Sequence, residues 1–196
     1  MRGSKINGWQ GEFKSSFLSC EKDTEAIIRK LFVDSKPYSD LLKRLLIINT
    51  SDCLYDMTNP KYIERINNMT IQKLREEGYI RLEPKIPFGE NEEIKSYIRI
   101  SFDNFTPARG NEYFRDCIVE IDIICHPEYW DLGNYRQRPI KIAGYIDGIL
   151  NNTKLSGIGT LDFIGMNEII LNENLAGYCL MYSAIHGADD VIPEEE

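Results

Sequence analysis

The sequence predicts an α+β fold in which N-terminal helices precede a mostly antiparallel β-sheet with a helix packed on one face. The clearest observation is the run 116–126, whose odd positions are all apolar while its even positions mix carboxylates with isoleucines. A period of two with β-branched residues on one side is typical of a strand. Helical spacing before residue 79 and the order β-β-β-α-β-β after it complete the prediction.

The residues before this sheet predict three helices. The first covers residues 24–32, with Asp23 as its N-cap, and the second runs from a cap at Ser39 to about Ile48. The third follows Asn59 as its cap and reaches residue 78, where a glycine suits the left-handed conformation that ends helices.

The first half of the sheet is predicted from three strands, at 79–83, 94–102 and 116–126. Residues 104–115 separate the last two strands, and a connection of that length is too long for a tight turn. If those strands pair, we expect this connection to be a projecting loop with exposed aromatic side chains.

The second half begins with a helix at 136–150, which starts near residue 138 because Pro139 suits a first turn. A loop at 151–159 leads to a hairpin of strands 160–171 and 177–185. The last strand is apolar on both faces, so we expect it to be central in the sheet.

These patterns divide the chain into four segments. They are an N-terminal arm (1–19), a helical region (20–78), an α+β domain (79–190) and an acidic tail (191–196).

The composition excludes several classes of protein. The net charge is −8, and residues 151–196 hold eight acidic side chains against the single basic Lys154, so this part should repel nucleic acid. The five cysteines are odd in number and include no Cys-x-x-Cys, which favours a reducing compartment over a disulfide framework. We expect no signal peptide, and no apolar run approaches the ~20 residues of a membrane span.

Two catalytic arrangements are worth testing against these patterns. Glu120 and Asp122 share a strand face and precede His126, so a metal-dependent hydrolase using these three residues is the alternative function. A Cys-His pair would need His186 to meet Cys125 or Cys179. These cysteines lie in apolar runs, which favours inert buried thiols, and metal-ligand spacing is absent, so we expect neither a metal nor another cofactor.

The last two thirds of the chain resemble a known family. The features are Trp130, Arg136 and Arg138 opening a helix with Ile140, Ala143, Ile146, Asp147 and Leu150 on its spacing, then a glycine-containing loop and a terminal hairpin. This succession over residues 79–190 is similar to the tail terminator or tail-completion proteins of tailed bacteriophages.

The resemblance implies a structural protein without catalytic activity. It implies a homo-oligomeric ring of six or twelve copies at the head–tail junction, between the portal or connector and the tail proteins. Genomic DNA would pass through the ring without specific binding, and the protein would be assembled in the host cytoplasm and located in the virion, not in a membrane.

A weaker third hypothesis is a monomeric regulatory module whose acidic surface mimics DNA.

A ring subunit needs surfaces for its neighbours, and three groups of residues are candidates. They are Trp9, Phe13 and Phe17 in the arm, Arg109, Tyr113 and Phe114 in the long loop, and Ile118 and Ile124 on the even face of the strand 116–126. We expect that face to be covered by a ring neighbour or by the N-terminal helices.

Overall fold

A computed structural model describes residues 17, 20–54, 56–83, 95–108 and 114–187 of the chain. The helices are α1 (Cys20–Arg29), α2 (Tyr38–Ile47), α3 (Pro60–Asn67), α4 (Ile71–Glu76) and α5 (Arg138–Leu150). The strands are β1 (Ile80–Arg81), β2 (Tyr97–Pro107), β3 (Phe114–Cys125), β4 (Thr153–Leu155), β5 (Gly159–Asn172) and β6 (Leu175–Gly187). The predicted α+β class is confirmed.

The strands of this described part form one sheet in the order β1-β2-β3-β6-β5-β4. Every neighbouring pair is antiparallel except β1 and β2, which run parallel. The last strand is central, as predicted, since β6 lies between β3 and β5. The predicted hairpin turn is also present, because β5 ends at Asn172 and β6 begins at Leu175.

The helices cover one face of this sheet. Val119, Ile121 and Ile123 of β3 are fully buried there, in a single core that also contains apolar residues of α1, α2 and α5. The helical region and the sheet therefore share their core. In the part of the chain that the structure describes, no helix is both long and apolar enough to cross a membrane.

A fully buried arginine joins these layers. The Arg138 guanidinium donates hydrogen bonds to the carbonyl oxygens of Leu45 at 2.6 Å, Ile48 at 2.9 Å and Thr50 at 2.8 Å, at the end of α2. It also donates to the carbonyl of Tyr129 at 2.6 Å. A planar guanidinium has enough donors to satisfy several carbonyls that lack helical partners.

The first two helices differ from their predicted form. The helix predicted over 24–32 begins earlier, at Cys20, and continues after Arg29 as a π-helical turn at Lys30–Asp34. Asp23 is therefore not an N-cap but lies inside α1, buried against a distant histidine. The second helix begins at Tyr38 and has no side-chain cap, and the expected cap Ser39 is buried.

The third predicted helix is divided into α3 and α4. Asn59 caps α3 as predicted, by accepting a hydrogen bond from the Lys61 amide. Thr70 then accepts from the Lys73 amide and starts α4, so a second N-cap interrupts what was predicted as one helix. Gly78 has φ +72°, which is the left-handed conformation predicted for this position.

Two strand predictions also change. The loop predicted at 104–115 is shorter, because β2 continues to Pro107 through a bulge at Asp103–Thr106 and β3 begins at Phe114. Asn104 adopts φ +53° in that bulge, a conformation that asparagine tolerates. The loop predicted at 151–159 contains the short strand β4, which pairs with the start of β5.

Candidate docking site

The strand β5 carries a row of exposed apolar side chains. Phe163, Ile164, Met166 and Ile170 are 42%, 51%, 41% and 72% exposed. We call these four residues the β5 patch. Large apolar side chains that cluster at a surface are typical of a site where another protein binds.

The backbone of β5 is open along the same edge. Its other neighbour β4 pairs only with Gly159–Leu161. The amide of Phe163 then donates to the Asn151 side chain at 3.2 Å, and no strand of the described part pairs with the outer edge beyond this point. An open edge of this length can accept an added strand from another chain. Proteins usually avoid exposing such an edge when no partner binds there.

Helix α5 leaves this surface uncovered. Helix α5 packs over β3 and β6, and the hydroxyl of the fully buried Tyr182 donates to Asp147 of α5 at 3.2 Å. Burial, together with the Asp147 charge, raises the pKa of Tyr182 and keeps its hydroxyl a donor. Phe163 contacts Tyr182 edge to face, with ring centroids 5.8 Å apart, but lies beyond the helix. The β5 patch is thus the uncovered continuation of the core-facing surface.

The hairpin that holds the patch is purely acidic. Residues 159–187 contain Asp162, Glu168 and Glu173 but no lysine or arginine. A partner with basic side chains around an apolar or aromatic centre would complement this surface.

The opposite face of the sheet holds a groove of about 330 Å³ that is lined in part by an ion pair. Arg99 of β2 pairs there with Asp122 of β3, which is 6% exposed. Burial and the nearby Asp122 charge raise the pKa of Glu120. The predicted carboxylate pair, Glu120 and Asp122, therefore lies in this groove, and Asp122 is already paired with the Arg99 guanidinium.

The third residue of the hydrolase hypothesis lies in different surroundings. His126 follows β3, where its Nδ1 accepts a hydrogen bond from the Glu128 amide at 3.2 Å and its ring lies 6.2 Å from that of Tyr129. Within the described residues, no three His, Cys, Asp or Glu side chains are placed to hold a metal ion.

The even face of β3 is covered in a way that the sequence did not predict. Ile124 is 2% exposed and packs with Tyr97 and Leu175, so the tip of the chain's own hairpin covers it rather than the N-terminal helices. The hairpin can approach β3 closely here because Gly177 has no side chain. A Cβ atom at this position would lie 1.7 Å from the carbonyl oxygen of Ile123. Ile118, nearer the other end of β3, is half-buried.

The histidine at the end of β6 does not meet either cysteine that the sequence suggested. His186 is fully buried, and its Nδ1 lies 2.5 Å from Asp23 Oδ2 of α1. Its Nε2 lies 3.8 Å from the sulfur of Cys20. Burial and the Asp23 charge raise the pKa of Cys20, so this thiol stays protonated rather than becoming a nucleophile. Burial also raises the pKa of Cys125 to about 11 and of Cys179 to about 12.

The predicted contact residues are only partly described. Trp9, Phe13, Arg109 and Tyr113 lie outside the described residues. Phe17 is 51% exposed and stacks edge to face on Phe105 of its own chain at 5.0 Å, with the Arg115 guanidinium 5.1 Å from its ring. Phe114 is 41% exposed at the start of β3. The sequence did not predict the β5 patch. Its apolar residues are visible in the sequence, but their position at the open edge of the sheet depends on the strand order.

Comparison with known proteins gives one family match. The model of a family named YomW matches residues 39–184. No curated protein matches the chain. A chain of the solved structure titled "Virion of native gene transfer agent (GTA) particle" is similar over 64% of this chain and 90% of that chain, with 11% identity and a TM-score of 0.39. A likeness that distant carries no weight for function.

Proposed function

Because the chain belongs to the YomW family, which is phage-related, we propose that it is a structural protein of a phage particle. The observation that carries this proposal is the β5 patch. A protein that works by binding other proteins needs an apolar surface that its own fold leaves uncovered, and this strand supplies it.

The finer form of the proposal is a ring at the head–tail junction, with six or twelve copies between the portal or connector and the tail. A ring needs two different complementary surfaces on each subunit, so that each copy binds the next in the same sense. The open edge of β5 is suited to be one of them. The assembled ring would be located in the virion after assembly in the host cytoplasm.

The charge of the chain agrees with a channel for DNA. The net charge of −8 and the acidic hairpin provide no cluster of basic side chains to bind phosphates. A surface of this kind would let genomic DNA pass without specific binding. The resemblance to tail terminator proteins seen over residues 79–190 supports the same position in the particle.

Two measurements test the proposal. Mass spectrometry of purified particles of the phage that encodes the chain should detect it at several copies per particle. The mass of the purified protein in solution, alone and mixed with the portal and tail-tube proteins, should reveal a multiple of the 22.7 kDa subunit. A chain that is absent from particles and stays a monomer in every mixture would refute the proposal.

A further inference from the structure

We propose that the β5 patch binds the N-terminal segment, residues 1–16, of a second copy of this chain. The inference rests on the proposed function and identifies the contact that would join neighbouring subunits. Each copy gives one segment and receives one, which is a head-to-tail contact of the kind that closes into rings.

The surface itself selects against a simple alternative, the pairing of two β5 strands with each other. Such pairing would bring together two copies of a hairpin whose charged side chains are all acidic, Asp162 and Glu168 among them, and like charges on paired strands are destabilising. The hairpin has no basic residue that could offset this repulsion. The complementary segment must therefore bring basic charge together with apolar side chains.

The N-terminal segment has this composition. It holds Trp9 and Phe13, and its basic residues include Lys5 and Lys14 against Glu12 as its acidic residue. Trp9, Phe13 and Phe17 are spaced by four, which places them on one side of a helix and equally on one side of an extended strand. Two aromatic side chains on one side, with Lys5 before them and Lys14 after them, match an apolar surface that has acidic residues on its rim.

The anchor point of the segment also fits. Phe17 is held on β2 by Phe105, and Arg115 of β3 lies over its ring. From β2 to β5 there are three strand spacings, a distance of ~14 Å, whereas sixteen extended residues span up to ~55 Å. The segment is long enough to leave its own subunit. A segment that covered the β5 patch of its own subunit would leave no free patch for a second copy, and the subunits would then not assemble through this surface.

The first experiment compares the solution mass of variants made in the full-length chain. Deletion of residues 1–16 and, separately, Ile170→Glu should each reduce the assembly to monomers, because one removes the segment and the other places a charge in the patch. Ile170 is 72% exposed, so the substitution leaves the core intact. Matched controls are deletion of residues 1–4 and Ile63→Glu, since Ile63 is 41% exposed on α3. Both controls should assemble like the unmodified chain.

The second experiment mixes the two defective proteins. The Ile170→Glu chain still has its segment and the truncated chain still has its patch, so the mixture should give a heterodimer that neither forms alone. No complex in the mixture would overturn the exchange between copies, and normal assembly of the truncated chain would overturn the role of the segment. A chain that is found in particles but assembles without residues 1–16 would refute this inference and leave the proposed function standing.

Charge reversal provides a third measurement. Lys14→Glu should weaken association at least about tenfold, by placing a carboxylate against the acidic rim. Adding Glu168→Lys to that variant should restore most of the loss, whereas Glu168→Lys alone should weaken association. Equal association of all three variants would overturn the assigned complementarity.

Discussion

At the scale of single residues, Arg138 has a large predicted effect on stability. Its guanidinium donates to four backbone carbonyls that belong to the end of α2 and the turn before α5. Arg138→Met keeps the apolar stem but leaves these buried oxygens without their donor. We expect a loss of about 3–5 kcal/mol in the free energy of unfolding.

Chemical denaturation of the purified variants measures this loss. Lys154→Met is the control, since Lys154 is exposed on β4 and its replacement should change stability by less than about 0.5 kcal/mol. Similar values for both variants would mean that the buried network contributes little.

The buried thiols predict how stability depends on pH. Burial raises the pKa of Cys117 and Cys179 to about 12 and that of Cys125 to about 11. In the unfolded chain these thiols ionise near pH ~8.5. The folded state therefore binds more protons above that pH, and its stability is fully present below the unfolded pKa and is lost as the pH rises.

We expect the free energy of unfolding to fall above pH ~8.5 by up to about 1.4 kcal/mol per pH unit for each of these thiols. Urea denaturation between about pH 7 and about pH 10 measures the slope. A variant with alanine at the three positions should give a flatter profile than the unmodified chain. An unchanged slope would contradict the assignment.

At the scale of elements, the sequence predicted what local patterns determine. Alternation located β3, the hairpin predicted from strands 160–171 and 177–185 corresponds to β5 and β6, and the apolar spacing of the residues after Arg138 located α5. The division of the third helix also has a local signal, because Thr70 is of a residue type that caps helices. The pairing of Asp23 with His186 had none, because those residues are 163 positions apart and only the packed fold brings them together.

This pair fastens α1 to the end of β6. Asp23 and His186 are 1% and 0% exposed, so removing one partner leaves the other polar group buried. We expect Asp23→Asn, which keeps an acceptor oxygen but removes the charge, to cost about 1–3 kcal/mol in the free energy of unfolding. Hydrogen exchange of the α1 amides should accelerate more than that of β3, because the substitution releases the helix from the sheet.

Glu21→Gln is the matched control for this test. Glu21 lies on the same helix but is exposed, so its replacement should leave exchange in α1 nearly unchanged. If Asp23→Asn also left α1 protected, the pair would not be what holds the helix to β6.

At the scale of the whole molecule, α5 covers the face of β3 and β6, while much of β5 extends past it. The sequence could predict the apolar content of β5, but not that it lies at an edge, because strand order follows from long-range pairing. The covered face of β3 illustrates the same limit. Ile124 was expected to need a neighbour or the helices, and the chain's own hairpin covers it.

An exposed β5 patch that binds a second copy has a thermodynamic consequence. A partner that binds the folded state alone stabilises it by mass action, so the melting temperature of an assembly rises with protein concentration. We expect the melting temperature of the unmodified chain to increase across a roughly hundredfold range of concentration.

Ile170→Glu should abolish this dependence yet melt cooperatively, since Ile170 is 72% exposed and contributes little to the core. Calorimetry at matched concentrations, with Ile63→Glu retaining the dependence, distinguishes a lost interface from a damaged fold. A melting temperature of the unmodified chain that stays constant over this range would argue against self-association through any surface.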